Sequence, residues 1–169
     1  MSTLSPPVDF SALIYGSMVT MLLEMTEEVE DVNTKLEEIG YRIGLRLAHE
    51  FARDRNLDRV ETAEALIRGV LAKNWDKFVG KSKATYARLE DNVFKMSFEE
   101  SIFTQNVTVP EIYKGVKFEA ILPGILKGVF EIFHFEVNTS LVSEEGSKTT
   151  DVKIEVVKAI PIAVPKEDD

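Results

Sequence analysis

From residue 11 the chain enters a stretch with hardly a polar side: Leu13, Ile14, Met18, Val19, Met21, Leu22 and Met25 fall all round a helix of 3.6 residues per turn. The pattern predicts a first helix over 11–27, capped by Asp9 or Ser11. A helix apolar nearly all round is either buried or presented to a partner. Pro6 and Pro7 are expected to stop any earlier helix, leaving 1–8 as a disordered tail. Past the acidic connection "EEVED", Asp31 is placed to cap a second helix over 32–54. There Leu36, Ile39, Ile43, Leu47 and Phe51 form one apolar stripe, and Lys35, Glu38, Arg42 and Glu50 point largely away. Asp58 and Glu61 have the spacing of a capping box. The third helix that follows carries Val60, Ala63, Leu66, Ile67, Val70, Leu71 and Trp75, and ends before Gly80.

Beyond Gly80 the period changes from helical to alternating. "TYARLEDNVFKMSF" alternates around Asp91-Asn92 and predicts a β-hairpin, followed by the short stretch "FTQNVTVP". A fourth helix over 115–134 carries Phe118, Ile121, Leu122, Ile125, Val129, Ile132 and Phe133; Pro123 within it should kink it or delay its start. "FHFEVNTSLV" and "TTDVKIEVVKAI", joined by the polar "SEEGSK", predict a second hairpin. The order predicts an α+β domain over 9–160 with helices on one face of an antiparallel sheet, and an acidic tail over 161–169.

The second helix holds Gly40 and Gly44 on its apolar side, although glycine inside a helix costs roughly 1 kcal/mol relative to alanine. Missing side chains on a buried face let another backbone come close. Gly16 in the first helix is a plausible facing position, which makes Gly16, Gly40 and Gly44, with Met18 and Leu22, candidates for a helix–helix or dimer contact. Gly124 and Gly128 in the fourth helix are again four apart.

Charge and composition narrow the function. The 169 residues are 44% hydrophobic and 29% charged, as in an ordinary globular domain. With 29 acidic against 20 basic side chains the net charge is -9, which argues against a phosphate-tracking surface and hence against nucleic acid as partner. Cysteine is absent, which excludes disulfides, thiolate metal sites, thiol nucleophiles and S-acylation of this chain. No signal peptide is evident, and the longest nearly apolar run, 12–23, falls short of the ~20 residues of a membrane span. A cytoplasmic protein with only peripheral membrane contact is expected.

The catalytic inventory is thin. His49 reads as a solvated or half-buried mid-helix residue and His134 as a core-edge one. No phosphate loop, dinucleotide fingerprint, nucleophile elbow or zinc-helix motif occurs. Neighbouring carboxylates such as Glu37-Glu38 and Glu99-Glu100 diverge and read as solvated faces. No catalytic residue, metal or cofactor is predicted; surplus apolar surface suggests a partner interface or an internal hydrophobic cavity.

"LIYGSMVTMLLE", "EDVNTKLEEIGYRIGLRLAHEFARD", "DRVETAEALI" and "GILKGVFEI" together resemble the small subunits of the TRAPP (transport protein particle) vesicle-tethering complex. The resemblance rests on Tyr15-Gly16, Asp31-Val32-Asn33, Ile39-Gly40-Tyr41 with Ile43-Gly44, Arg46, Glu61-Thr62-Ala63 and Gly124-x-Leu126-x-Gly128, and covers roughly 10–158. It implies four helices layered on a twisted four-stranded antiparallel sheet, a fold shared with the nitric-oxide-signalling and Golgi-transport ligand-binding domains. Dimerisation through helices, with itself or a paralogous subunit, is implied. So is a non-enzymatic scaffold role in a complex that tethers vesicles between endoplasmic reticulum and Golgi and exchanges nucleotide on a Rab-type GTPase. Membrane contact would then be peripheral, through the complex.

The resemblance also implies an apolar channel for a fatty acyl chain on a cysteine. Here that position is Asn56, so only a non-covalent fatty acid can be held; Ile43, Leu47, Ile67, Val70 and Leu71 are the channel candidates, with Val70 bulkier than the alanine usual in close relatives. Glu167, Asp168 and Asp169 match an acidic tail that in the family reaches the GTPase's nucleotide pocket; a solvated tail is the plainer reading. Absence of cysteine with abundant Glu, Lys, Val and Ile also fits a prokaryotic, even archaeal, relative, for which a stand-alone dimeric binder of a fatty acid or other hydrophobic small molecule is the alternative.

Overall fold

The computed structural model describes residues 6–55, 60–79, 82–99, 103, 110–143 and 147–161. Two long helices come first, α1 (Pro6–Met25) and α2 (Val29–Arg55). The prolines do not delay α1. They occupy its first turn, where a missing N–H removes no intrahelical bond, so Asp9 and Ser11 lie inside the helix and do not cap it. Asp31 likewise falls inside the first turn of α2, beside Glu30, where its charge favours the positive end of the helix dipole. The third predicted helix is broken into α3 (Ala63–Leu66), a π-helical turn (Ile67–Leu71) and α4 (Ala72–Val79). Its cap is Thr62, whose side chain accepts the N–H of Ala65 at 3.1 Å; Asp58 lies outside the described residues.

The alternating segments form β1 (Lys83–Glu90), β2 (Val93–Glu99), β3 (Phe135–Leu141) and β4 (Thr149–Ala159) in one antiparallel sheet of order β1-β2-β4-β3. Asn92, in the first turn, takes φ 62°, a left-handed value that asparagine tolerates, and its carbonyl accepts the N–H of Val156 at 2.8 Å. That bond ties the first hairpin to the second. Phe94, Met96 and Phe98 of β2 and Val152 and Ile154 of β4 are buried under the helices, while the residues between them face outward. Trp75 of α4 packs on Phe98 with ring centroids 4.5 Å apart.

The last helix, α5 (Ile121–Ile132), starts later than its apolar pattern suggests. A 3-10 turn (Phe118–Ala120) precedes it, and Pro123 sits in its first turn, so the proline delays the helix and does not kink it. Nine residues of α5 are buried, consistent with its central place between α2 and the sheet.

Gly40 and Gly44 are buried, but not against Gly16. A Cβ on Gly40 would strike the backbone carbonyl of Ile121, and one on Gly44 that of Ile125. The contact is reciprocal: a Cβ on Gly124 would meet the carbonyl of Glu37, and one on Gly128 that of Tyr41. Two pairs of glycines four apart thus face each other across α2 and α5, and each helix presents carbonyl oxygens to the other's bare Cα atoms, the arrangement of weak Cα–H···O contacts. Gly16 has nothing within 4 Å of its virtual Cβ, so it takes no part. The clashing atoms are backbone, which cannot turn aside as a side chain can. Gly44→Ala is therefore expected to destabilise by about 3 kcal/mol or more, whereas Gly16→Ala should leave stability unchanged or raise it by up to ~1 kcal/mol. Denaturant unfolding of both variants checks this, and equal stabilities would contradict the packing described.

Candidate functional site: an exposed apolar helix face

Tyr15 and Val19 are buried and fix the inner side of α1, while Met18, Leu22 and Leu23 are half-buried against the same core. The opposite side carries Phe10, Ile14, Met21 and Met25, spaced four, seven and four apart, with Leu13 alongside; all five are more than half exposed, Leu13 at 69% and Met25 at 73%. Ile43 of α2 is exposed as well, at 36%. Five large apolar side chains on one helix exceed the scattered hydrophobics that any surface shows.

Gly40 and Gly44 make the helix contact expected from sequence, but Gly16 is not the position that faces them. Met18 and Leu22 turn towards the chain's own core, Gly40 and Gly44 are consumed by α5, and no neighbouring element lies within 4 Å of where a Cβ on Gly16 would stand. Phe10, Leu13, Ile14, Met21 and Met25 carry the exposed face instead. An all-round apolar helix gives no sign of which side points in; Tyr15, whose hydroxyl reaches an internal carbonyl, was the available signal. The channel candidates also separate. Ile67 and Leu71 are fully buried, Leu47 is half-buried in contact with the core, and Ile43 is exposed. Asn56, the side chain of Val70, and Glu167, Asp168 and Asp169 lie outside the described residues. His49 is exposed. His134 is exposed too, not at the core edge: it turns the chain from α5 into β3 at φ 63°. Among the described residues no group of side chains is arranged to hold a metal ion, and no helix is long and apolar enough to cross a membrane.

The short sequence signatures acquire physical roles. The Tyr15 hydroxyl donates to the Phe118 carbonyl, its ring meets Phe103 edge-on at 4.8 Å, and burial followed by the charge of Glu119 raises its pKa. Asn33, itself buried, donates through Nδ2 to the Gly115 carbonyl at 3.0 Å and accepts the Lys117 N–H on Oδ1 at 2.8 Å. These bonds clamp the segment before α5 onto α2. Tyr41 donates to both carboxylate oxygens of Glu131 at 2.9 Å, joining the two helices again at their surface; that bond, then burial and the Glu131 charge, raises the tyrosine pKa.

Every one of these contacts positions α1, α2 and α5, and comparison with known proteins gives the same elements a family. The model described as "Transport protein particle (TRAPP) component" matches residues 11–157. The chain belongs to the TRAPP component family. Among curated TRAPP relatives, trafficking protein particle complex subunit 3 of Dictyostelium discoideum is 30% identical over 162 residues, covering 90% of this chain and 84% of that protein. The subunit 3 homolog of Caenorhabditis elegans is 29% identical, over 93% and 88%. A crystal structure of a subunit 3 from Naegleria fowleri, covalently bound to palmitic acid, shares the fold at TM-score 0.78 with 24% identity, over 92% of this chain and 98% of that one.

In this TRAPP chain Asn33 is the side chain on which two separate backbone groups depend. Asn33→Ala is expected to lower stability by about 1–3 kcal/mol, because the Gly115 carbonyl and Lys117 N–H lose a buried partner. Loss of amide-exchange protection should concentrate at 115–120; protection unchanged there would show that the clamp is dispensable.

Proposed function

We propose that this protein is a non-enzymatic scaffold subunit of a vesicle-tethering complex, joined to a second TRAPP-type subunit, itself or a paralogue, through the exposed face of α1. The observation that carries the reading is the stripe Phe10, Leu13, Ile14, Met21 and Met25, apolar and open on a chain of this family. Burial of such side chains stabilises by about 1.5–3 kcal/mol each if complete, enough for a few of them to hold two subunits together after the loss of free motion. The curated relatives are named as subunits of a trafficking protein particle complex, which supports a role in vesicle transport. Within such an assembly the chain would present surfaces for exchange on a Rab-type GTPase while supplying no catalytic group of its own. Membrane contact is then peripheral and made through the complex.

Sedimentation velocity tests this directly. The purified chain should dimerise, and the double variant Leu13→Glu/Met21→Glu should weaken association about 30-fold or more while keeping wild-type circular dichroism. A wild-type chain that stays monomeric at every workable concentration, and takes up no paralogous subunit, sinks the reading.

A second reading concerns a fatty acid. The Naegleria fowleri protein of the same fold carries palmitic acid covalently. Because this chain contains no cysteine, the same thioester cannot form here, and an acyl chain would be held without a bond. Native mass spectrometry of freshly purified protein is expected to show any such ligand leaving on mild organic extraction. An adduct that survives denaturation would contradict the non-covalent reading, and a bare mass under native conditions would remove the lipid altogether.

A further inference from the structure

A groove of about 450 Å³ opens between α2, α5 and β3; Glu37, Glu38, Tyr41, Lys127, Glu131 and Thr139 are among its lining residues. It follows from the glycine contact. Where the two helix backbones touch, the side chains flanking the line of contact are forced outward, and the groove opens beside Gly124, whose own bare face is filled by the backbone of Glu37 and Tyr41. Its charge is one-sided, three carboxylates to one ammonium. The Tyr41 hydroxyl orders the Glu131 carboxylate, while Glu37 and Glu38 form no ion pair among the described residues. Burial raises the Glu37 pKa, the charge of Lys127 offsets part of that, Glu30 adds to it and Lys117 offsets a little more. An additional cation in the groove would relieve this carboxylate.

The third wall is an open strand edge. Among the described residues β3 is the terminal strand of the sheet and pairs only with β4. The N–H of Val142 donates to the Asp151 carbonyl at 2.9 Å, which makes 142 and 151 a hydrogen-bonded pair. Such pairs alternate along an antiparallel ladder. With Leu141 opposite Val152 and Thr139 opposite Ile154, the main-chain groups of Thr139 and Leu141 therefore turn away from β4. Thr139 lies in the groove wall and is held there by a hydroxyl bond to the Pro123 carbonyl at 3.0 Å. Among the described residues, main-chain donors and acceptors that β4 does not use thus run beside a row of carboxylates.

We infer that this groove docks an extended, basic segment of a partner protein, added alongside β3 with its Lys or Arg side chains against Glu37, Glu38 and Glu131. Main-chain bonds to a strand edge supply affinity in this mode of recognition, and the side chains alongside supply selectivity. Charge complementarity selects the occupant: an acidic or purely apolar strand would leave three carboxylates facing it unpaired. The residues that line the groove belong to α2, α5 and β3 and none to α1, so the groove and the apolar face share no side chain. The inference is independent of the subunit contact proposed above.

The test uses the whole chain and two fluorescein-labelled hexapeptides, one alternating Arg and Val and the other Glu and Val, followed by fluorescence anisotropy. The Arg-Val peptide is expected to bind, more weakly as salt is raised, and the Glu-Val peptide is not. The double variant E37K/E38K, changed at two exposed positions, should lower affinity at least about tenfold while keeping wild-type circular dichroism and wild-type sedimentation. Methylating alternate peptide amides leaves the charge intact and removes strand donors, and should weaken binding to a similar degree. No binding of the Arg-Val peptide, equal binding of the two peptides, or an unaffected E37K/E38K variant would overturn the docking site. Undiminished binding of the methylated peptide would overturn strand addition.

Discussion

The contact between α2 and α5, backbone against backbone, is the constraint on which the other elements depend. Helices normally pack 8–10 Å apart because side chains stand between them; here four glycines remove those side chains at the crossing, and each helix meets the other's carbonyl groups. Each glycine in a helix interior loses roughly 1 kcal/mol to backbone entropy. Close packing and removal of water along the seam must offset that loss. Because α5 also lies on the sheet, bringing α2 this close sets α2 at a fixed height above the strands, and the core of Leu36, Leu66, Trp75, Phe98 and Phe130 forms around that spacing.

The same contact decides what remains at the surface. With the small-residue side of α2 occupied by α5, α1 has no glycine seam to enter and rests on the domain through Tyr15 and Val19, with Met18, Leu22 and Leu23 beside them. Its far side stays open, and it is apolar. The seam also pushes Glu37, Tyr41, Lys127 and Glu131 outward along one flank, where they line a polar groove against β3. The apolar face and the charged groove are thus two consequences of one crossing, built from different residues and of opposite chemical character.

Much of this architecture was legible before any coordinates. The 3.6-residue stripes located α2 and α5, the alternation located both hairpins, and Asp91-Asn92 marked the first turn. Boundaries were read less well, and for definite reasons. Pro6, Pro7 and Pro123 all lie in first turns, where proline fits, so treating proline as a breaker placed α1 too late, whereas for α5 the delayed start, one of the two outcomes expected of Pro123, is the one found. The cap before α3 passed from Asp58 to Thr62 because both precede apolar residues at suitable spacing. A π turn inside the third predicted helix leaves the apolar pattern almost intact and so has no signature of its own. The open face of α1 was hidden for a similar reason: when every side of a helix is apolar, the pattern carries no direction.

What the sequence determined on its own was local: which segments coil, which alternate, that cysteine chemistry is absent, and that Gly40 and Gly44 must lie where another backbone comes close. Those properties follow from a few neighbouring residues and from sterics that hold in any context. Which backbone comes close was decided only in three dimensions. Gly16 and the pair Gly124 and Gly128 offer the same lack of bulk, and choosing between them takes the sheet, which holds α5 beneath α2 and leaves α1 at the margin. Small residues permit an approach; the topology of the whole chain chooses the partner.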